Sequence, residues 1–296
     1  MTDREITVHI GLPKTATTTI QRHLFYNAEY LSRLGVDYCA DLCQLGPFAK
    51  ASAHHAIARA SHMPRENSFQ SNWNSVIRQR ISSSGTYLLS SEWFSRGNAK
   101  GVRVMMDEWD LPDQRHLLVV TRSELAYIRS HWMQGIKMGK RSDSLYEYYL
   151  ANYKPRRRAY SDRLRAWLDN GFSLIALRYE ELQSSADVTQ SLLRAAFDLQ
   201  FDFKHWHRIP NANVSPSHDT VAHYQRLMRP IHSLVAPRVD RRRAAKWFRL
   251  AHDGFCNNFF SKNLGESRQY REDLEKIKED LTRLSDIDDL SYKILR

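Results

Sequence analysis

Cysteine is scarce in this chain of 296 residues: Cys39, Cys43 and Cys256 are all it has. Three thiols cannot build a disulfide framework, and they lack the paired spacing of a zinc site. Cys39 and Cys43 are four apart with no Cys/His partner set nearby, so they read as structural or incidental, and no metal is expected. Nor does any run approach the ~18 apolar residues that a membrane span requires. The opening Met-Thr-Asp-Arg-Glu leads straight into an apolar strand pattern, without a secretory-signal core. Internal repeats and low-complexity linkers are missing too, which excludes a solenoid and gives no sign of a second domain. These absences lead us to expect a soluble, reduced, cytoplasmic protein built as a single domain over 1–296.

What is present is enough for a sizeable core: 42% of residues are apolar and 26% charged. Lys and Arg total 44 against 33 Asp and Glu, a formal net charge of +11. Such a surplus favours anionic partners, among them nucleotides, sulfate or phosphate esters, acidic polysaccharide, nucleic acid and membrane surfaces.

Short apolar runs at Ile6–Ile10, Val36–Cys39, Thr86–Ser90, His116–Thr121 and Phe172–Leu177 read as strands, the fourth being apolar enough to be buried on both faces. Helical spacing separates them. One helix is expected through Ile20, Leu24, Leu31 and Leu34 with Gly35 as its stop, and others at Glu124–Lys137, Arg156–Asn170 and Val188–Leu199. Between Pro47 and Ser83 the pattern is polar and helical, with Trp73, Val76, Ile77 and Ile81 on one face. Strands alternating with helices imply an α/β fold: a central parallel sheet flanked by helices over about 5–203. A mainly helical part follows over about 204–296, ending in Gln269–Leu284, whose alternating acids and bases suggest a solvated helix.

The chemistry concentrates between the first strand and the first helix, in Gly11-Leu12-Pro13-Lys14-Thr15-Ala16-Thr17-Thr18-Thr19. Free N–H groups and the positive dipole end of a helix make an anion site there. Lys14 adds a charge, and Thr17, Thr18 and Thr19 add hydroxyl donors. A nucleoside-triphosphatase P-loop would place Gly and Lys where this chain has Ala16 and Thr17. Here the lysine stands three places earlier, at the mouth of the loop. An ordinary Thr-rich helix cap is the alternative reading.

Pro13, Lys14, Thr15, Thr17 and Thr18 make the loop resemble that of the sulfotransferases that use 3′-phosphoadenosine 5′-phosphosulfate (PAPS), approximately P-K-[ST]-G-T-T, with Ala16 in place of glycine. The resemblance implies a P-loop NTPase-like fold, and it implies that the segment Lys14–Thr19 binds the 5′-phosphosulfate, Ala16 included. Arg122, ending the strongest strand, and Ser130, eight residues later, match the pair that grips the 3′-phosphate in that family. Tyr179, in Leu177-Arg178-Tyr179-Glu180-Glu181-Leu182, matches a tyrosine near the adenine; it reads equally as a residue packed at a strand end. The motifs span about residues 5 to 215. Arg208–Ser215 resembles the Asn/Ser-rich loop before the final helices, while the R-K-G cluster of the animal members is absent, which leaves a third phosphate contact unassigned.

In such an enzyme Lys14 would stabilise the bridging oxygen as it leaves, without a metal. Glu92, after Leu88-Leu89-Ser90-Ser91, has the position and chemistry of a base at a partly desolvated strand end, or else of an acid in a helix cap. His54 and His55 are rivals for the base, and His9 reads as a buried, hydrogen-bonded residue. The basic clusters Lys154–Arg158 and Arg238–Arg249 are either solvated helix faces or an acceptor groove for an anionic saccharide. The expected function is therefore transfer of a sulfuryl group from PAPS to a hydroxyl or amine of a small-molecule or saccharide acceptor. A P-loop kinase and a non-catalytic polyanion binder without specificity for nucleic acid are the alternatives.

Overall fold

The computed structural model describes residues 5–45, 51–61, 75–81, 85–96, 98–111, 114–137, 141, 143–156, 160–183, 187–202, 204–209 and 268–288. These residues gather into two compact units, one of 1–122 with 159–212, the other of 123–158 with 213–296.

The first unit holds five parallel strands: β1 (Glu5–Ile10), β2 (Val36–Asp37), β3 (Thr86–Ser91), β4 (Gln114–Thr121) and β5 (Ser173–Arg178), in the order β2-β3-β1-β4-β5. Every strand run read from the sequence is a strand here, with ends displaced by one or two residues. β1 is central, and from Ile6 to Ile10 all its side chains are buried. Apolar and polar residues alternate along it, yet the polar Thr7 and His9 are buried like Ile6, Val8 and Ile10, as befits a strand covered on both faces. The register sets His9 level with Ser90 of β3 and Leu118 of β4. Side chains on that face meet α1 (Thr17–Tyr26), α2 (Ala28–Arg33) and, further along, the helix Val188–Phe197, through Ile20, Leu24, Leu31, Leu88, Leu118 and Leu192.

The single helix expected from Ile20 to Leu34 is broken at Asn27. The Asn27 amide donates to the carbonyls of His23 and His207 (2.9 and 3.0 Å) and its oxygen accepts from the His207 N–H (2.7 Å). An asparagine that bonds backbone elsewhere competes with helix continuation. Gly35 then ends α2 at φ +90°, as a left-handed stop should. A further correction concerns a helix face. Ile77 and Ile81 are buried but Val76 is 45% exposed, so these three do not share one face, and Trp73 lies outside the described residues.

The second unit contains the helix Glu124–Lys137, a short helix Leu145–Tyr148 started by a Ser144/Glu147 capping box, and the helix Arg268–Asp288. The last is not solvated all round. Tyr270, Asp273, Leu274 and Ile277 are buried. They recur at helical spacing within the charge alternation, and Tyr270, Leu274 and Ile277 pack with Ile128, Trp132 and Tyr149. Asp273 accepts the Tyr146 N–H (3.1 Å), and Asp280 accepts the Tyr149 hydroxyl (2.6 Å). Among the described residues no helix is long and apolar enough to cross a membrane.

Candidate functional site

After β1 the chain connects to β2 on one side, and after β4 to β5 on the other, so the connections leave these neighbouring strands in opposite directions. Parallel α/β sheets bind ligands at the carboxyl ends of such a strand pair. Gly11–Ala16 follows β1 there, and Arg122 follows β4.

The loop turns through two left-handed residues, Lys14 (φ 71°) and Ala16 (φ 58°). Ala16 is the N-cap of α1 and has no side-chain oxygen to offer; no side chain caps the helix. The first intrahelical bond runs from Ile20 N–H to Ala16 O (3.0 Å). The N–H groups of Thr17, Thr18 and Thr19 precede it and have no intrahelical acceptor. A left-handed alanine costs roughly 1–2 kcal/mol, which explains why glycine would suit position 16. Alanine at position 16 is thus a backbone cost, and no donor is lost.

The hydroxyls are used differently from the expectation. Thr15 Oγ1 and Thr17 Oγ1 both donate to Leu12 O (2.8 and 3.0 Å), closing the loop on itself. Thr18 is exposed and Thr19 buried. The groups this leaves at the helix start are the N–H groups of Thr17–Thr19, Lys14 and the exposed Thr18. Gly11 is required by packing: a Cβ there would run into the Thr17 side chain.

Arg122 reaches back to the loop. Its Nη1 donates to Lys14 O (2.7 Å), and its guanidinium carbon lies 4.8 Å from the centre of the Tyr179 ring. Its Nε is buried with no hydrogen-bond partner among the described residues. Tyr179 opens the short helix Tyr179–Gln183 and packs partly against the core, so it serves here as a bed for Arg122. Burial and the nearby Arg122 charge lower the pKa of Lys14 to about 8, with Glu92 opposing them.

Glu92 begins the 3₁₀ turn Glu92–Arg96 and is exposed, not desolvated. Its charge is felt by both Lys14 and His55. Ser91, not Glu92, caps the turn, accepting the Trp93 N–H (3.1 Å), and its hydroxyl also bonds His55 Nδ1 (2.9 Å). His55 is half-buried, and burial lowers its pKa. Glu92 therefore acts electrostatically on Lys14 and on His55, a link that the sequence did not reveal.

His54 is not on the surface. It is fully buried, with Nδ1 accepting from Ser90 N–H (3.0 Å) and Nε2 bonding Cys39 O (3.1 Å), which fixes a neutral ring. Burial lowers its pKa to about 4 and that of His9 likewise to about 4. His9 is buried and bonds Ser90 Oγ through Nδ1 (2.8 Å), as expected, while its Nε2 has no hydrogen-bond partner among the described residues. His54 thus leaves the list of candidate bases. Cys39 and Cys43 are buried and free; burial raises both thiols, that of Cys43 to about 12.

Ser130 sits partly buried in the helix Glu124–Lys137, in the second unit. Lys154 pairs with Asp280 (2.7 Å), a structural use of the first basic cluster. Arg157, Arg158, Pro210–Ser215, Arg238–Arg249 and Cys256 lie outside the described residues. Among the described residues no group of three or more His, Cys, Asp or Glu side chains is placed to hold a metal ion. Comparison of the chain with protein-family models, with curated proteins and with solved structures finds no match.

Proposed function

We propose that the chain is a PAPS-dependent sulfotransferase that transfers a sulfuryl group to a hydroxyl or amine acceptor, in a P-loop NTPase-like fold. One observation carries the reading: an uncapped helix N-terminus, entered through left-handed Lys14 and Ala16, stands at the carboxyl ends of β1 and β4. Such a cradle suits a phosphate or sulfate ester. Lysine at its mouth, in place of the P-loop lysine one residue into the helix, suits a leaving group better than a triphosphate chain.

In this reading the N–H groups at Thr17–Thr19 hold the 5′-phosphate. The bond between sulfur and the bridging oxygen breaks while acceptor oxygen or nitrogen bonds to sulfur. Lys14 balances the charge left on adenosine 3′,5′-bisphosphate. The acceptor's proton passes to Glu92, whose charge acts on Lys14, or to His55, on which Glu92 also acts. Arg122 has an unpartnered Nε–H among the described residues and offers its guanidinium to the nucleotide, and Tyr179 and Ser130 keep the adenine and 3′-phosphate roles that the resemblance implies. The acceptor is a small molecule or a saccharide.

Calorimetric titration tests the donor. Adenosine 3′,5′-bisphosphate is expected to bind without Mg²⁺, and labelled PAPS with a panel of hydroxyl and amine acceptors is expected to give labelled product. Binding of ATP only, and only with Mg²⁺, would replace this reading with a kinase.

A further inference from the structure

Arg122 and Tyr179 touch in a way that the nucleotide-binding reading does not use. Nη1 of Arg122 donates one of its two hydrogens to the carbonyl of Lys14, at 2.7 Å. That carbonyl belongs to a residue held at φ 71°, a region a lysine enters only when its surroundings impose it. The guanidinium in turn lies over the Tyr179 ring at 4.8 Å, a distance at which the ring face attracts a cation. Tyr179 is anchored at the end of β5 and packs on the core, so it is a fixed support. The chain of contacts runs from core to ring, from ring to guanidinium, and from guanidinium to the backbone of the lysine at the mouth of the cradle.

We propose that Arg122 and Tyr179 are positioning residues: a ring-supported guanidinium clamps the Lys14 carbonyl and so fixes the left-handed turn that aims the lysine. This rests on the sulfotransferase reading only for what the lysine is aimed at; the clamp itself is a property of the ligand-free chain. It adds an electrostatic consequence, because the clamp also keeps a permanent positive charge beside the Lys14 ammonium. The charged and titratable groups acting on Lys14 are Arg122, which with burial favours loss of its proton, and Glu92, which favours keeping it. A lysine made more acidic in this way gains more from an arriving anion, since the anion relieves both burial and repulsion.

The test is read on Lys14 in the absence of nucleotide. The rate of its reaction with an amine-directed acylating reagent, resolved by peptide mass spectrometry across pH 6 to 11, gives its titration directly. In the parent it is expected near 8. Arg122→Gln removes the charge and the clamp, and Lys14 is expected to titrate at about 9 or above. Tyr179→Leu keeps the arginine but removes its support, and a rise in the same direction is expected. Tyr179→Phe keeps the ring face and is expected to leave the titration at the parental value. Far-UV dichroism verifies that each variant is folded; if Arg122→Gln does not fold, the Tyr179 pair decides. Titration near 8 in folded Arg122→Gln, or in Tyr179→Leu, overturns the clamp. Because no nucleotide enters this experiment, its failure is distinct from failure to bind adenosine 3′,5′-bisphosphate.

Discussion

Lys14 is the residue on which the proposed chemistry turns, and its acidity gives it a pH signature. The folded-state pKa lies near 8, below the ordinary lysine value of 10.5. The ammonium is therefore charged at pH 7 and is lost as pH rises through about 8 in the free protein. Affinity for adenosine 3′,5′-bisphosphate is expected to weaken across that range. In Lys14→Arg, whose guanidinium does not titrate there, the weakening is expected to vanish. Titrations at pH 7 and 9.5 check both. Lys14→Ala is expected to lower kcat of sulfuryl transfer by roughly 10²-fold or more, because a charge aimed at a leaving oxygen acts mainly in the transition state. The proton acceptor is resolved by Glu92→Gln and His55→Gln. Each keeps hydrogen bonding, and the one that removes the base is expected to lower the acceptor-dependent rate by about 10²–10⁴-fold with donor binding intact. The sequence made Lys14 and Glu92 visible as residues in suggestive places. It could not show that Glu92 is exposed or that His55 shares its field, since that depends on where α3 (His55–Ala60) lands beside the end of β3.

At the scale of elements, the strands were legible and their boundaries nearly so, because a buried central sheet leaves short apolar runs between polar turns. Faces and breaks were less so. Asn27 interrupts a helix whose apolar spacing continues across it, for reasons that lie in a segment 180 positions away. The loop after β1 shows how packing and conformation share one sequence motif. Its Gly11 is fixed by contact with Thr17, not by a positive φ, and Thr17 in turn closes the loop on Leu12 O. Gly11→Ala is therefore expected to destabilise the first unit by about 1–3 kcal/mol through overpacking. The clash involves the Thr17 methyl group. Thr17→Ser deletes that methyl and keeps the hydroxyl, so the double variant Gly11→Ala/Thr17→Ser is expected to recover much of the loss. Urea denaturation of the four proteins measures the coupling directly, and simple additivity would show that this contact is not the source.

For the molecule as a whole, the surplus of positive charge and two buried imidazoles act together as pH falls. His9 and His54 are both fully buried, with folded pKa values near 4 against an ordinary value of 6.5. Between these values the unfolded chain binds protons that the folded chain refuses. Stability is thus complete above pH 6.5 and declines as pH falls toward 4, by at most about 3 kcal/mol for each ring. For His54 the reason is visible: a proton on Nδ1 would displace the Ser90 N–H that bonds it, with Nε2 already on Cys39 O. A chain at +11 becomes more positive still as its carboxylates protonate, so self-repulsion acts in the same direction. The free energy of unfolding in urea is expected to fall steeply from pH 6.5 to 4.5. His54→Gln is expected to be less stable than the parent at pH 7.5, because no amide reproduces both ring bonds in the same plane. Its decline with acid is nevertheless expected to be shallower, since one refused proton has been removed. Parallel slopes for parent and variant over pH 4.5–6.5 would show that His54 takes no part in the acid lability, leaving His9 and general charge as its origin.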